Sequence, residues 1–140
     1  MNLSEDQPTS QSSTWPNMWH GMMLTSDKAV DGEFFGMQHT YGQGSPNWWR
    51  VELEDGASVD QVTVYKRGDC CDNRYYDFYV TLKKNGVVVA EHYQGPVFSG
   101  SSLDIPFCAI AADEVEIRRG GGDGGANQLQ FAEIIVYGLG

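Results

Sequence analysis

Gln61-Val62-Thr63-Val64-Tyr65-Lys66 runs without a break into Arg67-Gly68-Asp69-Cys70-Cys71-Asp72-Asn73-Arg74. The two halves of this stretch carry different information. In the first, Val62 and Val64 alternate with Thr63 and Tyr65, the period-two pattern of a strand with one buried face. In the second, eight residues hold two guanidinium groups, a carboxylate between them and two adjacent cysteines. Folding alone seldom needs that set. An arginine fork offers several donors in fixed geometry, and a nearby acid can hold its orientation. Neighbouring Cα atoms lie ~3.8 Å apart, short of the ~4.4–6.8 Å that ordinary disulfides span. A Cys70–Cys71 bridge would therefore close a small strained ring, and strain of this kind gathers at functional sites. The plain alternative is a surface loop in which Asp69 pairs weakly with Arg67 or Arg74. It leaves the cysteines unexplained.

Outward from this stretch the same strand signals recur. Candidate strands are Trp48–Leu53, Gln61–Lys66, Asp77–Lys83, Val87–His92, Leu103–Ala109, Glu114–Arg118 and Leu129–Tyr137. Val115 and Ile117 alternate with Glu114 and Glu116, and Asn85-Gly86 reads as a tight hairpin turn. Gly120 to Asn127 is a glycine-rich loop. There is no long helical pattern and no internal repeat. The expected fold is all-β, an antiparallel β-sandwich or jelly roll, in a single domain over residues 1–140.

The chain has 140 residues, enough for one domain with its own core. Nineteen acidic against nine basic residues give a net charge of -10. That excludes a nucleic-acid partner, since phosphate binding needs a cationic surface. No stretch approaches the roughly 18 apolar residues of a membrane span. The polar start, Met1 to Ser13, has no visible signal peptide. Three cysteines do not decide the compartment, although a Cys70–Cys71 disulfide needs an oxidising setting to persist; a secreted protein is the expectation. Cys108 sits in the apolar run Ile105 to Ile110 and reads as a reduced core residue. The first 47 residues differ in character, with Trp15, Trp19, Met22, Met23, Phe34 and Phe35 among turn formers. They either cap one end of the sandwich or wall a pocket.

Two cationic forks beside a compact sulfur surface suit a sugar ring, with hydroxyls on one edge and a C–H face on another. At this point the sequence resembles the F-type lectins, or fucolectins. Their motif is a histidine followed at a distance by Arg-X-Asp-X4-Arg/Lys. Here His39 precedes Arg67-Gly68-Asp69, and four residues later comes Arg74. The spacing from His39 is one residue longer than usual. Adjacent cysteines also follow the aspartate in that family. Weaker matches extend from Gln11-Ser12-Ser13 and Ala29-Val30-Asp31-Gly32 through Trp48–Leu53 to Phe131–Gly138.

The resemblance implies a discoidin-like jelly roll that binds terminal α-L-fucose on glycans. It implies that His39 bonds the axial hydroxyl, that Arg67 and Arg74 bond the ring oxygen and neighbouring hydroxyls, and that Asp69 orients both forks. It further implies that a Cys70–Cys71 disulfide packs on the ring edge. Trp19, His20, Met22 and Phe34 or Phe35 would wall the pocket for the 6-methyl group. Met37 and Ala132 stand where relatives often carry a further cysteine pair, and an apolar pair fills that space.

A second constellation is Asp31 with Glu133. Leu129, Phe131, Glu133 and Ile135 share one face at period two, and a carboxylate there is costly if buried unpaired. It needs an arginine, a frayed edge or a hard cation. The resemblance implies a structural calcium, held by Lys28, Glu33 and Ala132 carbonyls, the Asp31 and Glu133 side chains and a donor near Gly36.

An enzyme needs a base, a nucleophile and a stabilising group in one cleft. His20, His39 and His92 lack zinc-site spacing, so binding without catalysis is expected. Fucosylated glycoconjugates are the expected partners, with membranes reached only through glycans and avidity supplied by oligomers or tandem domains. The alternatives are a discoidin-like domain that binds phospholipid through Trp15, Trp19, Met22 and Met23, and a protein-binding sandwich.

Overall fold

The computed structural model describes residues 1–41, 47–120 and 128–140. The expected loop from Gly120 to Asn127 lies, beyond Gly120, outside the described residues. Among those described, eight strands form: β1 Thr9–Gln11, β2 Trp48–Glu52, β3 Ser58–Lys66, β4 Phe78–Lys84, β5 Val87–Gln94, β6 Ser102–Ala111, β7 Glu114–Arg119 and β8 Phe131–Leu139. They make a five-stranded sheet in the order β1-β2-β7-β4-β5 and a three-stranded sheet in the order β6-β3-β8, with all paired neighbours antiparallel. The all-β sandwich is as expected. Among the described residues, no helix is long and apolar enough to cross a membrane.

The alternation read in the sequence places the core. Trp49, Val51, Val80, Leu82, Val115 and Ile117 of the larger sheet and Val59, Val62, Val64, Ile105, Ile134 and Val136 of the smaller belong to one buried cluster. Each such side chain contributes about 1.5–3 kcal/mol when fully buried. The outer face of the larger sheet is also covered at its centre. Glu116 is buried because Arg50 and Lys83 reach its carboxylate at 2.6 and 3.4 Å. Asn85 and Gly86, at φ 52° and 79°, close the β4–β5 hairpin in the left-handed geometry that a two-residue turn needs.

Two expectations fail in the smaller sheet, one through strand alternation and one through a bulge. Cys108 is exposed rather than buried. On β6, Ile105 is buried and Phe107 packs against the core, so the intervening positions face outward. Ala109, at φ 50°, then shifts the register before Ile110 returns to the core. On β8, Glu133 pairs with Tyr65 but Phe131 pairs with Lys66, so Ala132 is the extra residue. Core contact passes from Phe131 to Ile134 and Val136. Glu133 and Ile135 thereby leave the face they were expected to share with Phe131. They stay covered because the N-terminal residues lie over them: Leu3 N–H donates to Val136 O at 2.7 Å and Gly32 N–H to a Glu133 carboxylate oxygen at 3.0 Å.

Under the arginine loop the core ends in an aromatic plug. Tyr75, Phe78, Phe98 and Phe131 meet edge to face at centroid distances of 5.5 to 6.4 Å, each such pair adding about 0.5–1.5 kcal/mol. Lys66 lies buried above it, its ammonium on Phe98 O at 2.7 Å. A firm floor thus stands beneath the loop that follows β3.

Candidate functional site

Three segments converge at this end of the sandwich: the chain around His39, the loop from Arg67 to Arg74, and the start of β8. Gln38 N–H donates to Phe131 O at 3.0 Å, and Phe131 N–H returns a bond to the Gln38 side-chain oxygen at 2.7 Å. One residue pair along, Thr40 N–H donates to Leu129 O at 2.9 Å and Leu129 N–H to the Thr40 hydroxyl at 2.8 Å. His39 is locked between these two stitches.

From the other side, the Tyr75 hydroxyl donates to Gln130 O while accepting from Arg67 N–H at 2.9 Å. Burial pushes the Tyr75 phenol up to about 12, so it stays a donor. The Gln130 side-chain oxygen accepts from Arg67 Nη1 at 2.6 Å and from Arg74 Nη1 at 3.4 Å. Asp69 takes both of its arginine bonds from Arg67, at 2.7 and 2.9 Å. It was expected to orient both forks. Two residues from Arg67 on one loop, its carboxylate is committed to that fork, and Gln130 makes the link to Arg74. The Arg67 hydrogen bonds hold the Asp69 carboxyl below the usual carboxylate range.

Cys70 and Cys71 form a disulfide, and Cys71 takes a left-handed φ of 76°, a strained setting for a residue with a side chain. A buried Arg119 braces the loop from behind. It donates to the carbonyls of Arg74 and Gln128, each at 2.8 Å, and to that of Tyr76.

Between these segments lies a cavity of about 530 Å³. His39, Arg67, Arg74, Cys70 and Cys71 line its polar end, and Trp15, Met18, Trp19, Leu24, Tyr41 and Gln128 complete it. Of the expected wall, only Trp19 reaches the cavity. His20 meets Trp19 edge to face at 4.3 Å and Phe35 lies tilted against it at 5.0 Å, and both support it. Phe34 packs on Tyr65 instead. Sequence reading missed Gln130, Arg119 and Tyr41, for which no spacing signal exists. Trp15 was noted among the N-terminal aromatics that could wall a pocket and as a phospholipid contact in the alternative reading, not as a sugar-site residue.

His39 Nδ1 lies 2.7 Å from Thr40 O. A carbonyl only accepts, so Nδ1 carries the proton and Nε2 is an acceptor. Burial, with Arg67 and Arg74 nearby, lowers the imidazole to about 4. The cavity thus sets one neutral acceptor among permanent donors. A hydroxyl held there can donate a hydrogen bond to His39 Nε2 and accept one from arginine.

The residues expected to hold calcium lie in a second place. Lys28, Asp31, Glu33 and Gly36 line a neighbouring cavity with Met22 and Phe35. Glu133 lies buried beside it, one carboxylate oxygen bonded to Gly32 N–H and the other without a hydrogen-bond partner. Burial, with Asp31 and Glu5 close, raises the Glu133 carboxyl to about 8. Ala132 and Met37 are buried. No cluster of three or more acidic, histidine or cysteine side chains shaped for a metal occurs among the described residues. The expected set draws half its oxygens from the backbone, and an orphaned buried carboxylate beside a second acid fits a cation.

Residues 28–117 match the NedA-like, galactose-binding domain family. The chain belongs to that family. Within it, the likeness to F-type lectins seen in the sequence holds. Fucolectin-6 of Anguilla japonica is 31% identical over 90 residues, which are 60% of this chain and 47% of the relative. The match thus spans about half the length of that curated relative. A Streptococcus pneumoniae fucose binding module is 28% identical with a TM-score of 0.84, covering 98% of this chain and 94% of that one. The lectin domain of lectinolysin, solved with Lewis B antigen, is 26% identical with a TM-score of 0.84, covering 98% and 96%.

Neutral His39 makes acid stability a test of this geometry. Between the ordinary 6.5 and about 4, the unfolded chain takes up a proton that the native imidazole refuses. Stability therefore falls as pH drops through that window and levels off below it. Urea midpoints of the native protein are expected to lose this component in His39→Gln, measured as the difference between the two pH profiles. Parallel profiles would show that His39 is protonated in the fold.

Proposed function

We infer that this domain is a lectin that binds terminal α-L-fucose on glycans and catalyses no reaction. The observation that carries this reading is the single cavity that gathers His39, Arg67, Arg74 and the Cys70–Cys71 disulfide. Relatives named for fucose or fucolectin activity support it. The neutral His39 Nε2 accepts from one hydroxyl, and that hydroxyl and its neighbours accept from the two guanidiniums. Charge-assisted bonds of this kind contribute about 1.5–3 kcal/mol each. The disulfide covers an apolar edge of the ring, and Trp19, backed by His20 and Phe35, faces the remainder. Asp69 fixes Arg67 and does not touch the sugar.

Calcium, when bound, would be held by Asp31 and Glu133 with carbonyls of Lys28, Glu33 and Ala132 and a donor near Gly36. It would neutralise a carboxylate that is otherwise buried unpaired. Its role is structural, tying the N-terminal segment to β8. Secretion fits a disulfide that persists only in oxidising surroundings. A single sugar site gives millimolar to micromolar affinity, about 4–8 kcal/mol, so useful avidity needs oligomers or tandem copies.

Arg74→Ala is expected to weaken L-fucose binding at least about tenfold in calorimetry, the loss of one charge-assisted bond. Its melting temperature should stay near that of the parent. Retained affinity would remove Arg74 from the site and overturn the fucose reading.

Calcium is expected to raise the melting temperature after chelator treatment, since a ligand at a hundred times its Kd stabilises by about 2.7 kcal/mol. Glu133→Gln should erase that increment. A parent protein indifferent to calcium would refute the metal site and leave the sugar site standing.

A further inference from the structure

The loop that carries both guanidiniums is anchored at its two ends from outside. Tyr75 accepts from Arg67 N–H at 2.9 Å, and Arg119 donates to Arg74 O at 2.8 Å. Between these anchors the loop divides into two halves. Asp69 belongs to the first, its carboxylate on the Arg67 fork at 2.7 and 2.9 Å. Arg74 belongs to the second, its N–H on Cys71 O at 2.9 Å across the short 3-10 turn Asp72–Arg74. The Cys70–Cys71 disulfide is the covalent tie at the junction.

The two arginines do not share this support equally. Arg67 bonds Asp69 through two nitrogens and Gln130 at 2.6 Å. Arg74 reaches Gln130 at 3.4 Å, so its position follows the backbone that carries it. That backbone starts from Cys71, whose φ of 76° is left-handed, a conformation costly to a residue with a side chain. The N–Cα bond about which this angle turns is a bond of the ring that the disulfide closes. With the bridge open, Cys71 is free to relax, its carbonyl turns from Arg74 N–H, and Arg74 leaves its place on the cavity wall. The end anchors stay, so the sandwich beneath is undisturbed.

Both cysteines line the cavity, and Cys70 is exposed. A small dithiol reaches the bridge when the cavity is empty, and a sugar lying on the same surface shuts it out. We propose that the Cys70–Cys71 bridge is a redox gate on the sugar site: the disulfide form binds the sugar, the dithiol form releases it, and bound sugar protects the bridge. In the reducing step a thiolate of an external dithiol attacks the Cys70 sulfur. The S–S bond breaks, and Cys71 leaves as a thiolate that takes up a proton. The second thiolate of the reagent then attacks its own sulfur in the mixed disulfide and frees Cys70, which also takes up a proton. The external dithiol is oxidised to its disulfide, and its two protons end on the protein thiols. Cys108 takes no part, since it lies near Val59, at the opposite end of β3 from the arginine loop. The gate regulates the site of the fucose reading and rests on that reading. By reciprocity, the factor by which reduction weakens sugar binding is the factor by which saturating sugar favours the disulfide.

The test uses the whole domain carrying Cys108→Ser, so that every thiol detected comes from the bridge. L-fucose is titrated before and after treatment with dithiothreitol, with thiol counts and melting temperatures taken on the same samples. Reduction is expected to release both bridge thiols and to weaken L-fucose binding at least about tenfold, the loss of one charge-assisted bond. The melting temperature should stay near that of the oxidised protein, and reoxidation should restore the affinity. Saturating L-fucose is expected to shift the dithiol–disulfide balance by the same factor, about 30 mV for each tenfold. Equal affinity in the two forms overturns the gate, and so does a bridge that excess dithiothreitol leaves closed. Reduction that unfolds the domain assigns the bridge to stability and overturns the gate as well. An oxidised protein that fails to bind L-fucose overturns the fucose reading on which the gate rests.

Discussion

The whole site hangs on the backbone of Leu129-Gln130-Phe131. On one side this segment exchanges four hydrogen bonds with Gln38 and Thr40, which fixes His39 between them. On the other, Gln130 offers its main-chain oxygen to Tyr75 and its side-chain oxygen to both arginines. The acceptor half and the donor half of the cavity are far apart in sequence. Their separation is set by one short stretch that is itself buried and entering β8. A shift there moves both halves at once.

The electrostatics follow from that placement. Two guanidiniums lie near a buried imidazole, and their charge adds to burial in keeping it neutral. Thr40 O fixes which nitrogen holds the proton. The donors are kept in place by groups that accept only: the Asp69 carboxylate, the Gln130 oxygen and, for the loop backbone, the carbonyls that Arg119 gathers. The arginines are thus oriented before a ligand arrives, which lowers the ordering cost of binding.

Much of this was legible in the sequence. Val62, Val64, Val115 and Ile117 announced their strands because their sheets bury one face at period two. The spacing of His39, Arg67, Asp69 and Arg74 announced a cluster because a local run supplies most of it. What the sequence hid depends on tertiary register. Cys108 and Glu133 sit in apolar runs; Cys108 takes the outward phase that alternates with Ile105 and Phe107, and a bulge at Ala132 decides which way Glu133 faces. Gln130 is one of several amides just before β8, with nothing to separate it from a solvated glutamine until both arginines are seen on it. Arg119 resembles its half-buried neighbour Arg118 in sequence, yet it is buried because the strand ends beneath the arginine loop. His20 and Phe35 were expected at the cavity and instead stand behind Trp19.

If Gln130 holds the two forks, its side-chain oxygen matters more than its volume. L-fucose affinity should therefore be measured for Gln130→Leu and Gln130→Glu beside the parent, with melting temperatures as a control. Leucine removes the shared acceptor and leaves Arg67 Nη1 unpaired, and is expected to cost at least about tenfold in affinity. Glutamate keeps an acceptor for both arginines and is expected to recover most of that loss. A leucine variant that binds L-fucose as tightly as the parent would contradict the account.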